Sequence, residues 1–260
     1  LLKDIKRVIK NDNISFGFLE INKNLMINQK EVLPEASHYK NISDIPNSPT
    51  IFIGNEFLDV FPINQYIKIN KIWKEVFITT SNNRLHYCYN NIEDKILFEE
   101  HKRNFPDEVD FFEVNTMIKK VITDISFFLK RNNGICLFID YGYSDGYGNT
   151  LQAIKNHKYV NPLSFPGVSD LTSHINFSHI INETKNLGMN FFGPTTQRNF
   201  LIKLGALERL KILKKSTNSE KIKNDLEKGL NRIIENSQMG ELFKVCAISP
   251  KTKLIPEGFD

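Results

Sequence analysis

Two short apolar runs place the strongest constraint on how this chain can fold. The residues "IFIG" (51–54) and "ICLFI" (135–139) are apolar or small without a break, and they are followed by Asn55 and Asp140. A strand with one face in water alternates apolar and polar residues, whereas a continuous apolar run is typical of a parallel strand buried on both faces. The two runs therefore predict a central, largely parallel sheet.

Helical and strand patterns alternate along the rest of the chain. The predicted helices are 1–11, 24–33, about 111–131, 176–188, 196–213 and 219–234. The predicted strands are 14–21, 50–54, 65–70, 71–80, 84–90, 135–140, 189–194 and 242–249, with the third, fourth and fifth forming an antiparallel meander. This alternation predicts an α/β sandwich with a largely parallel sheet.

Composition and charge argue against several kinds of partner. The chain has 260 residues and a net charge of +4, with lysine and arginine spread along its length, so nucleic-acid binding is not indicated. The three cysteines stand far apart, which indicates reduced thiols rather than a disulfide framework or a zinc site. No histidine pair has metal-ligand spacing, and no apolar run approaches the roughly 18 residues of a membrane span. We expect no metal, no nucleic acid and no membrane span, and the oligomeric state stays open.

Acidic side chains come at the ends of three predicted strands. They are Glu20, Glu56 directly after Asn55, and Asp140. Ligands of doubly wound sheets bind outside the carboxyl ends of the strands, and an acid that ends the second strand of a nucleotide-binding unit can accept hydrogen bonds from ribose hydroxyls. The sequence contains no glycine-rich phosphate-binding motif. This combination fits a nucleoside ligand without phosphate, such as S-adenosylmethionine.

Three longer stretches resemble a known family. "GNEFLDVFPINQY" (54–66) looks like the pattern ANE-x-x-D-A-L-P-x-x-x-[FY]. "FIDYGYSDGYGNTLQAIKNHKYVNPLSFPGVSDLTSHINF" (138–177) resembles DYGY…GDTLQA…H…DPL…PG..DLT.HVDF, and "TTQRNFLIKLG" (195–205) is similar to TQG.FL..LG. Together they resemble the MidA-type family of S-adenosylmethionine-dependent methyltransferases. Its mitochondrial members are complex I assembly factors that methylate an arginine of a complex I subunit.

The resemblance implies a class I methyltransferase fold. That fold has a mixed, seven-stranded Rossmann-like sheet, here with an inserted β meander and helical region at about 64–110. We expect one methyltransferase domain over residues 1–260. The resemblance also implies a first strand and a glycine-rich loop just before Leu1, so we expect the chain to lack both.

Candidate site residues follow from the strand ends and from the resemblance. The catalytic candidates are Asn55, Glu56 and Asp59, and the cofactor-binding candidates are Glu20, Asn41, Gly54 and Asn55. Glu56 is the better candidate to bind a guanidinium, since a carboxylate pairs with its planar fork. Asn55 can orient its neighbours without adding charge. Asp59 either belongs to the active site or caps a helix that begins near Val60.

The substrate-binding candidates come mainly from the resembling block. They are Asp140, Tyr141, Tyr143, Asp170, His174 and Gln197. The tyrosines either form an aromatic wall or are half-buried rings of a turn.

The resemblance implies S-adenosylmethionine as the cofactor and a protein partner similar to a subunit of respiratory complex I. It also implies a location in the bacterial cytoplasm or the mitochondrial matrix. Two other functions stay open, a non-catalytic assembly module that keeps the fold and a methyltransferase for small molecules.

Overall fold

The structure is a computed structural model, and it describes residues 2–9, 13–144 and 146–260. Its strands are β1 (Gly17–Leu19), β2 (Ser37–Tyr39), β3 (Thr50–Asn55), β4 (Asn64–Ile69), β5 (Ile72–Ser81), β6 (Arg84–Asn90), β7 (Phe111–Val114), β8 (Gly134–Tyr143), β9 (Gln152–Lys155), β10 (Lys158–Val160), β11 (Asp170–Thr172), β12 (Ile175–Asn176), β13 (Asn190–Thr196) and β14 (Phe243–Ser249). Its α-helices are α1 (Leu2–Val8), α2 (Lys23–Val32), α3 (Lys95–Lys102), α4 (Thr116–Asn132), α5 (Phe177–Asn186), α6 (Gln197–Lys203), α7 (Ala206–Lys215), α8 (Glu220–Ile234) and α9 (Met239–Leu242). The predicted helix at 1–11 is present as α1, but residues 1 and 10–12 lie outside the described residues.

The central sheet is built around β8. On one edge of β8, β3 runs parallel to it with Asn55 opposite Ile139, and β12 runs parallel to its last residues. On the other edge β14 runs antiparallel to β8, and β13 then pairs with β14. The sheet is therefore mixed, as the resemblance implied, rather than largely parallel, as the residue patterns predicted. The carboxyl ends of β3 and β8 point the same way.

Helix α4 covers one face of this sheet because its apolar residues share one side. Ile118, Ile122, Ile125 and Leu129 follow each other at spacings of three and four residues, and all four are buried in the central core. The side chain of Asn115 caps the first turn by accepting from the backbone N–H of Ile118 at 3.1 Å. The amphipathic pattern thus sets which side of α4 meets the sheet.

One face of β3 departs from the sequence-based expectation. We expected burial on both faces, but Ile51 is 71% exposed and Ile53 is 38% exposed. Side chains alternate across a strand, and Phe52 on the opposite face packs against the central core. In the part of the chain that the structure describes, no element covers the face at Ile51.

Among the described residues, the central sheet has five strands rather than the seven expected, and β1 and β2 form a parallel pair of their own. Leu19 of β1 packs against the central core, which keeps the pair beside the main sheet. Among the described residues no strand pairs with the outer edge of β3.

Residues 64–114 form a separate four-stranded antiparallel sheet, in the order β6–β5–β4–β7. The predicted meander is confirmed as β4, β5 and β6. This sheet has its own core of buried aromatic and aliphatic side chains, which are Tyr66, Phe98, Phe105, Val109, Phe112 and Val114. The extent of the insertion at about 64–110 stays a prediction.

Two predicted helices have different bounds from those expected. The pattern at about 111–131 begins with the strand β7, because Phe112 and Val114 alternate inward and pair with β4, and the helix starts only at Thr116. The pattern at 196–213 is broken into α6 and α7 at Gly205, whose φ is +82°. A residue in the left-handed region ends a helix, and glycine adopts it without steric cost. No helix of the described residues is long and apolar enough to cross a membrane.

We expect alanine to have opposite effects at two glycines of this helical region. Gly205→Ala should lower the free energy of unfolding by about 1–2 kcal/mol, because a Cβ disfavours the left-handed backbone. Gly229→Ala should raise the free energy of unfolding by about 0.5–1 kcal/mol, since Gly229 lies inside α8 and its added Cβ would meet nothing within 4 Å. Urea unfolding of both variants measures the difference, and equal effects at the two positions would contradict this account of the break.

Candidate active site

The turn after β3 presents Glu56 at the carboxyl end of the central sheet. The backbone N–H of Glu56 donates to the carbonyl of Ile139 at 2.9 Å, so the residue is held by β8. Its φ is +49°, a left-handed conformation that is rare for a residue other than glycine. The side chain is exposed, and Nδ2 of Asn55 donates to its Oε1 at 3.3 Å. Backbone strain of this kind costs about 1–3 kcal/mol and clusters at functional sites.

Asp140 holds this turn in place from within β8. One carboxylate oxygen accepts from the backbone N–H groups of Phe57 at 3.1 Å and Leu58 at 2.9 Å, and the other accepts from the N–H of Tyr141 at 3.0 Å. The sequence predicted Asp140 at a strand end, but β8 continues to Tyr143. Asp140 is 1% exposed, so its geometry suits positioning of the turn better than contact with a substrate.

β8 extends beyond Asp140 because Gly142 allows β12 to approach it closely. A Cβ at Gly142 would lie 2.0 Å from the backbone oxygen of Ile175. Only glycine permits this close approach, which allows β12 to pair with β8 beyond the end of β3.

Asp59 is buried against Tyr141. It is 3% exposed, and its Oδ2 accepts a hydrogen bond from the hydroxyl of Tyr141. No helix begins near Val60, so the cap expected there is not formed, and Phe61 instead closes a turn by donating its N–H to the carbonyl of Leu58 at 3.3 Å. Asp59 thus ties the turn to β8 through Tyr141.

Burial raises the pKa of both acids in this pair. Burial, together with the nearby charge of Asp59, raises the pKa of Asp140 to about 7. Burial also raises the pKa of Asp59, although the hydroxyl of Tyr141 acts in the opposite direction. Burial and the bond to Asp59 raise the pKa of Tyr141, so its hydroxyl keeps its proton and remains a donor.

Glu20 directly follows β1, as the sequence predicted. Its Oε1 accepts from the backbone N–H groups of Ile21 at 2.9 Å and Asn22 at 2.8 Å. Among the described residues, its Oε2 accepts only from the side-chain amide of Gln29 at 3.3 Å. Oε2 therefore keeps capacity to accept further hydrogen bonds, for example from two neighbouring hydroxyls.

The other two cofactor-binding candidates have local structural partners. The side chain and the backbone N–H of Asn41 both donate to Oδ2 of Asp44, each at 3.0 Å. Gly54 lies in β3, where a Cβ would stand 2.8 Å from Cδ1 of Phe138. Packing alone therefore accounts for a glycine at position 54.

Three of the substrate-binding candidates come together, and two lie apart from them. The ring of His174 lies 5.4 Å from that of Tyr141 and 5.0 Å from that of Tyr143, measured between centroids, and its Nδ1 is 2.7 Å from the hydroxyl of Tyr143. Asp170 begins β11 and is exposed. Gln197 is 7% exposed and donates to the carbonyl of Ile233 at 2.8 Å, so its amide joins α6 to α8.

Glu113 and Thr150 link the separate sheet to the site, although no sequence pattern pointed to either residue. The carboxylate of Glu113 accepts from both the backbone N–H and the hydroxyl of Thr150. The hydroxyl oxygen of Thr150 in turn accepts from the backbone N–H of His174 at 2.9 Å. The alternation of apolar Phe112 and Val114 around polar Glu113 indicates a strand, but the helical pattern that follows obscured this indication.

Comparison with known proteins settles the family. Residues 1–195 match the family described as "Putative S-adenosyl-L-methionine-dependent methyltransferase". The chain belongs to this methyltransferase family.

Curated relatives point to the same family. The "Protein arginine methyltransferase NDUFAF7 homolog, mitochondrial" of Caenorhabditis elegans is 34% identical over 224 residues, covering 82% of this chain and 50% of that protein. The "Protein arginine methyltransferase NDUFAF7, mitochondrial" of Homo sapiens is 26% identical over 226 residues, covering 84% of this chain and 49% of that protein. The methyltransferase chain thus spans about half the length of these relatives.

A solved structure confirms the predicted fold class. A Burkholderia thailandensis protein, solved bound to S-adenosyl-homocysteine, superposes with a TM-score of 0.82 at 22% sequence identity. The match covers 100% of this chain and 68% of that protein. The described strands and helices therefore have the arrangement of a class I methyltransferase fold.

The side chains at the strand ends fit the cofactor of this methyltransferase family. S-adenosylmethionine carries a ribose with two neighbouring hydroxyls, and Oε2 of Glu20 has acceptor capacity to spare. Its amino-acid end is charged and polar, and Asn55 supplies an exposed polar group at the end of β3. Acceptors at the carboxyl ends of strands are where a ligand of this fold binds.

The raised pKa of Asp140 predicts a pH dependence of stability. Its folded-state pKa of about 7 lies above the usual value for aspartate, so the folded protein binds the proton more tightly than the unfolded chain does. This contribution to stability is therefore complete below about pH 4 and is lost as the pH rises towards about 7.

We expect Asp59→Asn to reduce this pH dependence, because it removes the negative charge beside Asp140 and keeps an oxygen that accepts from Tyr141. Urea unfolding at a series of pH values, with a carbon NMR titration of the Asp140 carboxyl, measures both effects. A carboxyl that titrates below pH 5 in the unsubstituted protein would contradict the prediction.

Proposed function

We propose that this chain carries the catalytic part of an S-adenosylmethionine-dependent methyltransferase whose substrate is an arginine side chain of a protein. The observation that carries the proposal is the strained, exposed Glu56, which Asp140 and Ile139 hold at the end of β3. Membership of the methyltransferase family supports the reaction type. The names of the relatives, which are protein arginine methyltransferases, support the substrate class.

The proposed role of Glu56 is to bind and orient the guanidinium. When bound, S-adenosylmethionine supplies the methyl group from a sulfonium centre. A carboxylate pairs with a guanidinium through two parallel hydrogen bonds, which fixes the direction of its nitrogens. Alignment of this kind accounts for much of the catalysis of a transfer between two bound groups. The nitrogen that gains the methyl group loses a proton, and Glu56 is the exposed carboxylate of the turn that can accept it.

Asn55, Asp59 and Asp140 support Glu56 in this proposal. Asn55 donates to Glu56 at 3.3 Å and so limits the orientations of its carboxylate. Asp140 binds the backbone just after Glu56, and Asp59 anchors the same turn to Tyr141. We assign Tyr143 and His174, which are joined at 2.7 Å, to one wall of the substrate site.

We extend the proposal to the partner and its location. The resemblance to the MidA-type family suggests that the protein substrate is similar to a subunit of respiratory complex I. The relatives from Caenorhabditis elegans and Homo sapiens are named as mitochondrial proteins. We therefore propose the mitochondrial matrix as the location in a eukaryote, and the cytoplasm in a bacterium.

The role of Glu20 is tested by cofactor binding. Glu20→Ala in the intact protein should weaken binding of S-adenosylmethionine by roughly 1.5–3 kcal/mol, because it removes a charged acceptor of two hydrogen bonds. Isothermal titration calorimetry measures the loss, and Glu31→Ala on the exposed surface of α2 is the matched control. Equal affinities for Glu20→Ala and the control would remove Glu20 from the cofactor site.

The role of Glu56 is tested by turnover. Glu56→Gln should preserve the fold and cofactor affinity and lower kcat for methylation of protein arginine by about two orders of magnitude, a loss typical of one electrostatic group. The assay combines methyl-group incorporation from S-adenosylmethionine with mass spectrometry of the modified protein.

The other two functions that the sequence left open predict different outcomes. Intact protein that binds the cofactor but methylates no protein would favour the assembly module. Methyl transfer to small molecules alone would favour a methyltransferase for small molecules. If Glu56→Gln methylated its protein substrate at the rate of the unsubstituted protein, the proposed role of Glu56 would be contradicted.

A further inference from the structure

The outer edge of β6 is an unprotected strand edge. β6 is the outermost strand of the four-stranded sheet, and it pairs with β5 without a bulge from Arg84 to Asn90. Natural proteins usually protect such an edge with lysine, proline or a bulge, and β6 contains neither lysine nor proline. Among the described residues, the backbone of β6 has no strand partner other than β5.

The turn between β5 and β6 sets which backbone groups face outward. Asn82 and Asn83 have φ values of +50° and +56°, so they form a two-residue turn of type I′. The pair that flanks such a turn, Ser81 and Arg84, exchanges both of its hydrogen bonds across the hairpin. From there, hydrogen-bonded and non-hydrogen-bonded pairs alternate along the two strands. Leu85 and Tyr87 belong to non-hydrogen-bonded pairs, so their N–H and C=O groups point away from β5.

A groove runs beside this edge. Its volume is about 610 Å³, and its lining residues are Asn83, Arg84, Leu85, His86, Tyr87, Asn161, Leu163, Ser164 and Pro166. The far wall is an ordered turn, in which the side chain of Asn161 accepts from the N–H of Leu163 at 2.9 Å. Lys155 of β9 also lies 3.8 Å from the ring centre of Phe165 and holds that turn against β9.

The groove carries one positive charge, which has no ion-pair partner among the residues that the structure describes. Arg84 is the only lysine, arginine or acidic residue among the described lining residues. Its guanidinium forms no ion pair with any residue that the structure describes. An occupant with a carboxylate near Arg84 would therefore complement the groove.

A three-stranded sheet connects the groove to the candidate active site. Its far wall follows β10, and β10, β9 and β11 are neighbouring strands of one sheet. Strands lie about 4.8 Å apart, so β10 is about 10 Å from β11. Ser173, the residue after β11, donates its N–H to the carbonyl of Asp59 at 3.0 Å.

We propose that the outer edge of β6 binds an extended segment of the protein substrate as an added strand, with a carboxylate of that segment paired to Arg84. The inference rests on the proposed protein substrate and deepens it. The backbone of Leu85 and Tyr87 supplies the hydrogen bonds of the added strand, as in other complexes that extend a sheet. The target arginine lies elsewhere on the same segment and binds Glu56.

Fluorescence polarisation with the intact protein tests the binding mode without methyl transfer. The probe is a labelled 12-residue peptide of alternating threonine and valine with one arginine and one aspartate. We expect the same peptide with lysine for aspartate to bind about fivefold more weakly, because an exposed ion pair contributes modestly. N-methylation of alternate backbone amides on its pairing edge should weaken binding at least tenfold, since it removes the hydrogen bonds between strands.

Two substitutions in β6 separate the backbone from the side chains. Tyr87→Pro removes an outward N–H and should weaken peptide binding at least tenfold, while the ladder to β5 stays intact because proline is tolerated at an edge. Tyr87→Val keeps the N–H and should bind within threefold of the unsubstituted protein. Arg84→Glu should reverse the preference between the aspartate and lysine peptides. Circular dichroism verifies the fold of each variant.

Two outcomes would overturn the inference. One is a folded Tyr87→Pro variant that binds the peptides as the unsubstituted protein does. The other is a dimer in analytical ultracentrifugation that Tyr87→Pro dissociates, because β6 would then pair with a second copy of the chain. Peptide binding at β6 without methylation would contradict only the proposed function, whereas methylation insensitive to Tyr87→Pro would contradict only the docking site.

Discussion

The carboxylate of Asp140 is the constraint on which the rest of the candidate site depends. It accepts the backbone N–H groups of Phe57 and Leu58 from the turn after β3 and that of Tyr141 from its own strand. A buried carboxylate is costly unless donors satisfy it, and two of these three donors are available only when the turn has its observed shape. These two bonds hold the backbone just after Glu56, whose φ of +49° is left-handed, at the open end of the sheet.

A second set of contacts joins the four-stranded sheet to this site. Glu113 on β7 accepts from Thr150, and Thr150 accepts from the backbone of His174, whose ring contacts Tyr143. The separate sheet is thus coupled to the residues that we assign to substrate binding, although it has a core of its own.

The local patterns predicted most of the elements but not all of their bounds. Continuous apolar runs predicted β3 and β8, and the alternating runs predicted the hairpin of β5 and β6. The predicted start of α4 was wrong, because β7 pairs with β4 where the helical pattern begins. The single helix predicted over 196–213 was also wrong, because the left-handed Gly205 breaks it. The exposure of Ile51 was also unexpected, because an apolar run shows that both faces of a strand are apolar but not whether another element covers each face.

The sequence by itself determined the fold class, the family resemblance and the acids near the strand ends, because these depend on local order along the chain. Only the tertiary structure decided how the acids differ. Glu56 is exposed and strained, whereas Asp140 and Asp59 are buried, bonded and raised in pKa. Burial and hydrogen-bond partners come from residues up to 83 positions away, as between Phe57 and Asp140. Such long-range contacts leave no signature in the spacing of neighbouring residues. They decide that Glu56 is exposed to a substrate, whereas Asp140 and Asp59 hold the turn that carries Glu56.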